Sequence, residues 1–149
     1  MTATGHALIG TVIAAKIGNP ALAAPIALAS HFVADAFPHW DTGYHRKQNG
    51  KRKFFIQSSI DVLAGFVLSY AVINIFFPST NLLYALFIIL MAQLPDWLTI
   101  PYLFFDMKSA PFCWIYKLQK VFDRSMGMPW GVIDQVAIVG IVIALGRIF

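Results

Sequence analysis

The chain contains no glutamate. Its seven acidic residues are all Asp, and charged residues make up only 12% of the 149, against about a quarter in an ordinary soluble domain. With 58% apolar residues and a mean hydropathy of +0.68, this shortage of charge excludes a conventional water-facing surface and points to an integral membrane protein. A single cysteine, Cys113, excludes an intramolecular disulfide and any thiolate metal cluster. No Lys or Arg precedes Lys16, so the positive start of a cleavable signal peptide is missing and Ala21-Leu22-Ala23-Ala24-Pro25 is not expected to be a cleavage site. There is no internal repeat and no low-complexity tract. No nucleic-acid-binding motif accompanies the basic residues, which leaves no case for a nucleic-acid partner.

What the chain has instead is five apolar segments, at about 5–17, 21–37, 53–77, 81–104 and 129–149. Gly18-Asn19-Pro20 separates the first two, Pro38 stops the second, and Pro78-Ser79-Thr80 ends the third, because Pro cannot continue a helix and Gly and Asn suit tight turns. A spanning helix needs about 20 apolar residues. The last three segments meet that length. The first two are short and read as a tight helical hairpin that crosses with help from a snorkelling Lys16. The expected fold is therefore all-α: one domain over 1–149, a polytopic bundle of about five membrane helices, with 114–124 as a short amphipathic helix on the membrane surface.

Nine of the eleven basic residues lie in two stretches, 45–53 and 108–124. Five crossings put both on one side, together with the N-terminus, and the positive-inside rule makes that side cytoplasmic. Setting topology and attracting anionic lipid headgroups are sufficient roles for them.

The rare polar residues then fall at one depth. His6 lies near the start of helix 1. His31 and Asp35 are four apart on helix 2 and share a face. His39 and Asp41 follow in the loop. Asp61 is eight residues past Lys53, about 12 Å down helix 3. Asp96 is near the same end of helix 4, and Asp134 enters helix 5 from that side. An Asp at the centre of a membrane helix costs about 2.5–3.5 kcal/mol, so Asp61 between Ile60 and Val62 must face a partner, water or an ion. Carboxylates meeting imidazoles make a ligand set for zinc, manganese or iron. Each residue also has a plainer reading. His31 and Asp35 can be a simple helix pair, His39 and Trp40 interfacial anchors, and Asp134 a partner for the helix dipole. His45, Asp106 and Asp123 read as surface groups.

The block His31, Asp35, Pro38, His39, Trp40 and Asp41, in the pattern H-x-x-x-D-x-x-P-H-W-D, resembles a family of small bacterial membrane proteins classed as metal-dependent hydrolases. That family is loosely akin to zinc-dependent phospholipase C, in which H-x-x-x-D supplies zinc ligands. His6 in a short N-terminal helix and the Leu94-Pro95-Asp96 turn are similar to family features too. The likeness covers about residues 1–100 and is strongest over 1–43. There is no second H-x-x-x-E motif, since Glu is absent, which speaks against a full three-zinc cluster. The resemblance implies hydrolase activity and a bacterial cytoplasmic membrane.

The expected function is metal-dependent hydrolysis at the cytoplasmic membrane face. His6, His31, Asp35 and Asp96 would hold a divalent metal, zinc first and manganese or iron otherwise, with His39 (or Asp41 or Asp61) completing it or a second one. A carboxylate outside the ligand set, Asp61 or Asp41, would take a proton from water. Membrane lipid is the expected surrounding, and a phosphoester or lipid-linked phosphate the expected substrate, drawn in by Lys51, Arg52 and Lys53. Two other functions fit the same residues: a metal or proton transporter, since such paths use intramembrane Asp and His, and a non-catalytic scaffold whose Asp and His groups satisfy one another.

Overall fold

The computed structural model describes all of residues 1–149, as six helices and no strand. They are α1 (Ala3–Lys16), α2 (Pro20–Asp35), α3 (Arg46–Phe76), α4 (Leu82–Phe104), α5 (Phe112–Phe122) and α6 (Trp130–Ile148). The turn chemistry sets most of the boundaries. Thr2 accepts from the Gly5 amide to cap α1, Asn19 caps α2 with Pro20 at its first position, and Asn81 caps α4. Gly50, at φ +73°, breaks the start of α3, so residues 46–49 form a separate turn ahead of the long helix.

Three helices, α3, α4 and α6, are long and apolar enough to cross a membrane. This corrects the expectation of five crossings. At 1.5 Å per residue, the 14 residues of α1 and the 16 of α2 reach about 21 and 24 Å, short of the ~30 Å hydrocarbon core. The two form instead a hairpin in which α1 is held among the longer helices and α2 lies outside it against α4, with Leu22, Ile26 and Val33 exposed. α1 packs against α2, α3, α4 and α6 and is buried almost all round from Gly5 to Val12, as a helix apolar on every face must be. The basic loops remain at one end of the bundle, because α3 leaves from that end and α4 returns to it.

Small residues allow the close packing. Ala23 and Ala27 of α2 are fully buried with Ala85, Ile88 and Ala92 of α4. Gly65 of α3 faces the first turns of α1, where a Cβ would stand 3.1 Å from Thr4 Cα. The polarity of the bundle is inverted relative to a soluble domain. Its largest fully buried side chains include His6, His31, His39 and Gln93, while Leu63, Val67, Leu83, Val136 and Ile141 lie exposed along α3, α4 and α6. α5 buries no residue fully and lies across the site end of the bundle, against α4 and α2. It occupies the place of the amphipathic surface helix expected at 114–124.

Candidate metal centre

The site is built on the first turn of α1, which three other helices grip. Asp61 of α3 accepts from the Ala3 amide at 2.7 Å, the Thr4 amide at 3.2 Å and the Thr4 hydroxyl at 2.7 Å. A carboxylate at a helix start satisfies amides that have no partner within the helix. Gln93 of α4 donates to the Ala3 carbonyl at 2.9 Å, and Gln135 of α6 accepts from Thr2. One turn on, this anchorage delivers His6 to the centre of the bundle.

His6 stacks on His31 of α2, with ring centroids 3.8 Å apart. Both rings are buried, and neither nitrogen of His6 makes a hydrogen bond, although Nε2 is 3.2 Å from Asp35 Oδ1. His31 Nε2 is 3.4 Å from Asp35 Oδ2 and 3.6 Å from Asp96 Oδ1. His39 Nε2 is 3.6 Å from Asp123 Oδ1 and 4.0 Å from Asp35 Oδ1. Asp35 thus touches all three buried imidazoles, and the Met1 amino group as well.

The tautomers follow from the other ring nitrogens. His31 Nδ1 lies 2.9 Å from the Ala92 carbonyl, and His39 Nδ1 lies 2.8 Å from the Phe37 carbonyl. A carbonyl can only accept, so each Nδ1 carries a proton, and each Nε2 is the ring atom that faces the carboxylate oxygens. Burial holds the His39 imidazole below the usual histidine range, with the N-terminal ammonium adding to the effect against the opposing pull of the Phe37 carbonyl, Asp35 and Asp123. Its neutral, lone-pair form is therefore the favoured one. A buried group of carboxylates and imidazoles calls for positive charge, which the Met1 ammonium supplies at Asp35 and a bound cation could supply at the remaining ligand atoms.

The separations fit such an ion. They exceed the 2.7–3.2 Å of a good hydrogen bond for the most part. They match the ~3.3 Å edge of a tetrahedron of ligands about 2.0–2.1 Å from one zinc ion. His6, His31 and Asp96 each present one ligand atom, all within 4.8 Å of one another. Imidazole nitrogen with carboxylate oxygen, backed by Nδ1–H donation to backbone carbonyls, is the donor set and outer shell of a divalent transition-metal site.

The structure thus brings together His6, His31, Asp35, His39 and Asp96, all foreseen as ligands. The two carboxylates foreseen as proton acceptors line the same cavity of about 570 Å³ beside them. Asp61 is committed through both oxygens to α1. Asp41 closes a turn by accepting from the Gly43 amide through Oδ1, and its Oδ2 accepts no hydrogen bond. His45 and Asp106 are exposed, as expected, and Asp134 is half-buried.

Two site residues come from a quarter the sequence did not suggest. The Gln119 amide of α5 donates to Asp96 Oδ1 at 2.9 Å and lies 3.1 Å from His31 Nε2. Asp123, which reads as a surface charge, faces His39 while its second oxygen takes Lys120. Burial alone would push its pKa up, but the Lys120 ammonium outweighs that and holds it below the usual carboxylate range. Both positions depend on backbone pairing that joins residues 123–126 to the loop after α2. Arg124 N donates to Asp35 O, His39 N to Arg124 O, and Met126 N to His39 O. Gly131 then lets α6 press on that loop, since a Cβ there would stand 2.6 Å from Trp40 N. The one available signal was the spacing of Tyr116, Gln119 and Asp123, which puts them on one side of an amphipathic helix. Comparisons with protein-family models, with curated proteins and with solved structures give no match to this chain.

Proposed function

We propose that the protein is a membrane-bound hydrolase that uses a divalent metal, zinc by preference, held by His6, His31, Asp35 and Asp96. The observation that carries this reading is the convergence of buried imidazole nitrogens and carboxylate oxygens at ligand-to-ligand spacing, with both nitrogens of His6 left without a hydrogen bond. His39 and Asp123 stand beside this group and share Asp35 with it. A metal held by these residues would supply Lewis acidity, bringing the pKa of water near neutrality and polarising a scissile oxygen. Asp41, which lines the cavity and whose Oδ2 accepts no hydrogen bond, would take the proton. Asp61 is a positioning residue that fixes α1 and so the His6 ring. The substrate is a phosphoester or lipid-linked phosphate. The positive-inside rule applied to the basic loops supports a site at the cytoplasmic face of its membrane, and the family resemblance supports a bacterial inner membrane.

Transport is the weaker reading. Away from the cluster, the space among α1, α2 and α4 is filled by Ala14, Ala23, Ala27, Ala85 and Ile88, with no polar lining for an ion to follow. The deciding experiment is elemental analysis of detergent-purified, tag-free protein, wild type beside Asp35→Asn. Stoichiometric zinc, manganese or iron in the wild type and its loss in the variant support the reading. Metal-free wild-type protein that stays so after incubation with zinc sinks it and favours the scaffold alternative. Metal uptake into proteoliposomes would favour the transporter.

A further inference from the structure

The cavity beside the His and Asp cluster is lined by charges of both signs. Arg46, Lys47 and Lys120 line it together with Asp35, Asp41, Asp61, Asp96 and Asp123. The three cations are not equivalent. Lys120 is held by Asp123, and Lys47 is exposed. Arg46 is half-buried, and no carboxylate pairs with it. Its guanidinium lies over the rings of Phe54 and Tyr116, 5.9 and 5.7 Å from their centroids, and donates through Nη2 to the Tyr116 hydroxyl at 3.3 Å.

Two aromatic rings and one neutral hydroxyl orient this side chain without neutralising it, and they use one of its five N–H donors. An unpaired, pre-oriented fork in the wall of a partly enclosed cavity is suited to a tetrahedral or planar oxyanion. The run Lys51, Arg52 and Lys53, expected to draw in the phosphate, does not line this cavity, and Lys51 is taken up by Asp106.

We infer that Arg46 is the anchor for a phosphate group, which it holds in the cavity opposite the His and Asp cluster. The inference rests on the proposed hydrolytic reading for its substrate, but the anion site itself needs only Arg46 and the cavity. It gives a phosphate two handles: a guanidinium fork on one side, and on the other the groups proposed to activate water. The same chemistry recognises inorganic phosphate and the headgroup of an anionic lipid.

The test titrates inorganic phosphate into zinc-loaded, desalted protein in detergent, and in parallel presents phosphatidic acid in mixed micelles against zwitterionic micelles. Wild type, Arg46→Gln, Arg46→Lys and Lys117→Gln are compared. Loss of one to three charge-assisted hydrogen bonds weakens binding roughly ten- to a hundredfold in Arg46→Gln, while the exposed Lys117→Gln control on α5 matches wild type and metal content is the same in all four. Arg46→Lys keeps the charge but loses the fork and falls between. Binding confined to the free anion identifies a soluble phosphate, and binding confined to the micelles identifies a lipid headgroup. Equal binding by wild type and both Arg46 variants, or no binding of either ligand by wild type, overturns the assignment. If wild type holds no metal yet binds phosphate through Arg46, the hydrolytic reading fails and the anion site stands.

Discussion

The two ends of the α1, α2 and α4 core solve opposite problems. At the end near the α1–α2 turn, Ala14, Ala23, Ala27, Ala85 and Ile88 fill the space with small apolar groups. At the other end, the same three helices bury His6, His31 and Asp35 beside Asp96, with a His6 ring that has no hydrogen bond at all. The first end is what close packing of helices in lipid favours. The second is costly by the same standard, since buried polar groups without partners each cost about 1–3 kcal/mol. A core that is costly at one end and well packed at the other marks the costly end as the candidate functional site.

Several substitutions sharpen or break this contrast. The largest effect is expected from His31→Ala, which removes the imidazole lying between Asp35 and Asp96. Bound metal and turnover should both vanish by elemental analysis and hydrolysis assay, and full metal stoichiometry in that variant would count against the ligand set. Gln119→Ala should weaken metal affinity less, by roughly 10–100-fold, as loss of an outer-shell partner does, with the melting temperature nearly unchanged because α5 buries no residue fully. Competition with a fluorescent chelator measures this.

At the opposite end, Ala27→Leu should cost about 1–3 kcal/mol of stability through overpacking, since Ala27 is fully buried. Metal content per folded molecule should not change, and a change would show that the two ends are not independent. The two outlying carboxylates divide in the same manner. Asp61→Asn should lower the melting temperature, as its oxygens hold the first turn of α1. Asp41→Asn should lower turnover with little thermal effect, and a reversed pattern would exchange their roles. The smallest effect belongs to Lys51→Ala. Its pair with Asp106 is exposed on both sides, and although Lys51 holds that carboxyl below its usual range, the melting temperature at neutral pH should stay where it is.

Much of this arrangement was legible residue by residue. Gly18-Asn19-Pro20 marked the turn between α1 and α2, and the four-residue spacing of His31 and Asp35 put both on one face of α2. Scarcity made the rest readable: in so apolar a chain each Asp or His needs a partner, and His6, His39 and Asp96 were few enough to be matched by depth. The number of crossings was overcounted because hydropathy does not distinguish a helix wrapped in lipid from one wrapped in protein. α1 is as apolar as a span but 14 residues long, and it is enclosed by four other helices.

Composition and spacing alone determined an all-helical, lipid-compatible chain whose few ionisable groups lie toward one end, because apolar periodicity and turn residues act locally. Only the tertiary structure decided that Gln119 and Asp123 join that end, that Asp61 serves the start of α1, and that Arg46 rather than Lys51 faces the cavity. Those placements depend on backbone pairing and helix contacts between residues far apart in the chain, such as Arg124 N with Asp35 O at 3.0 Å. Backbone amides and carbonyls are the same in every residue but proline, so such pairings leave no mark in the order of side chains.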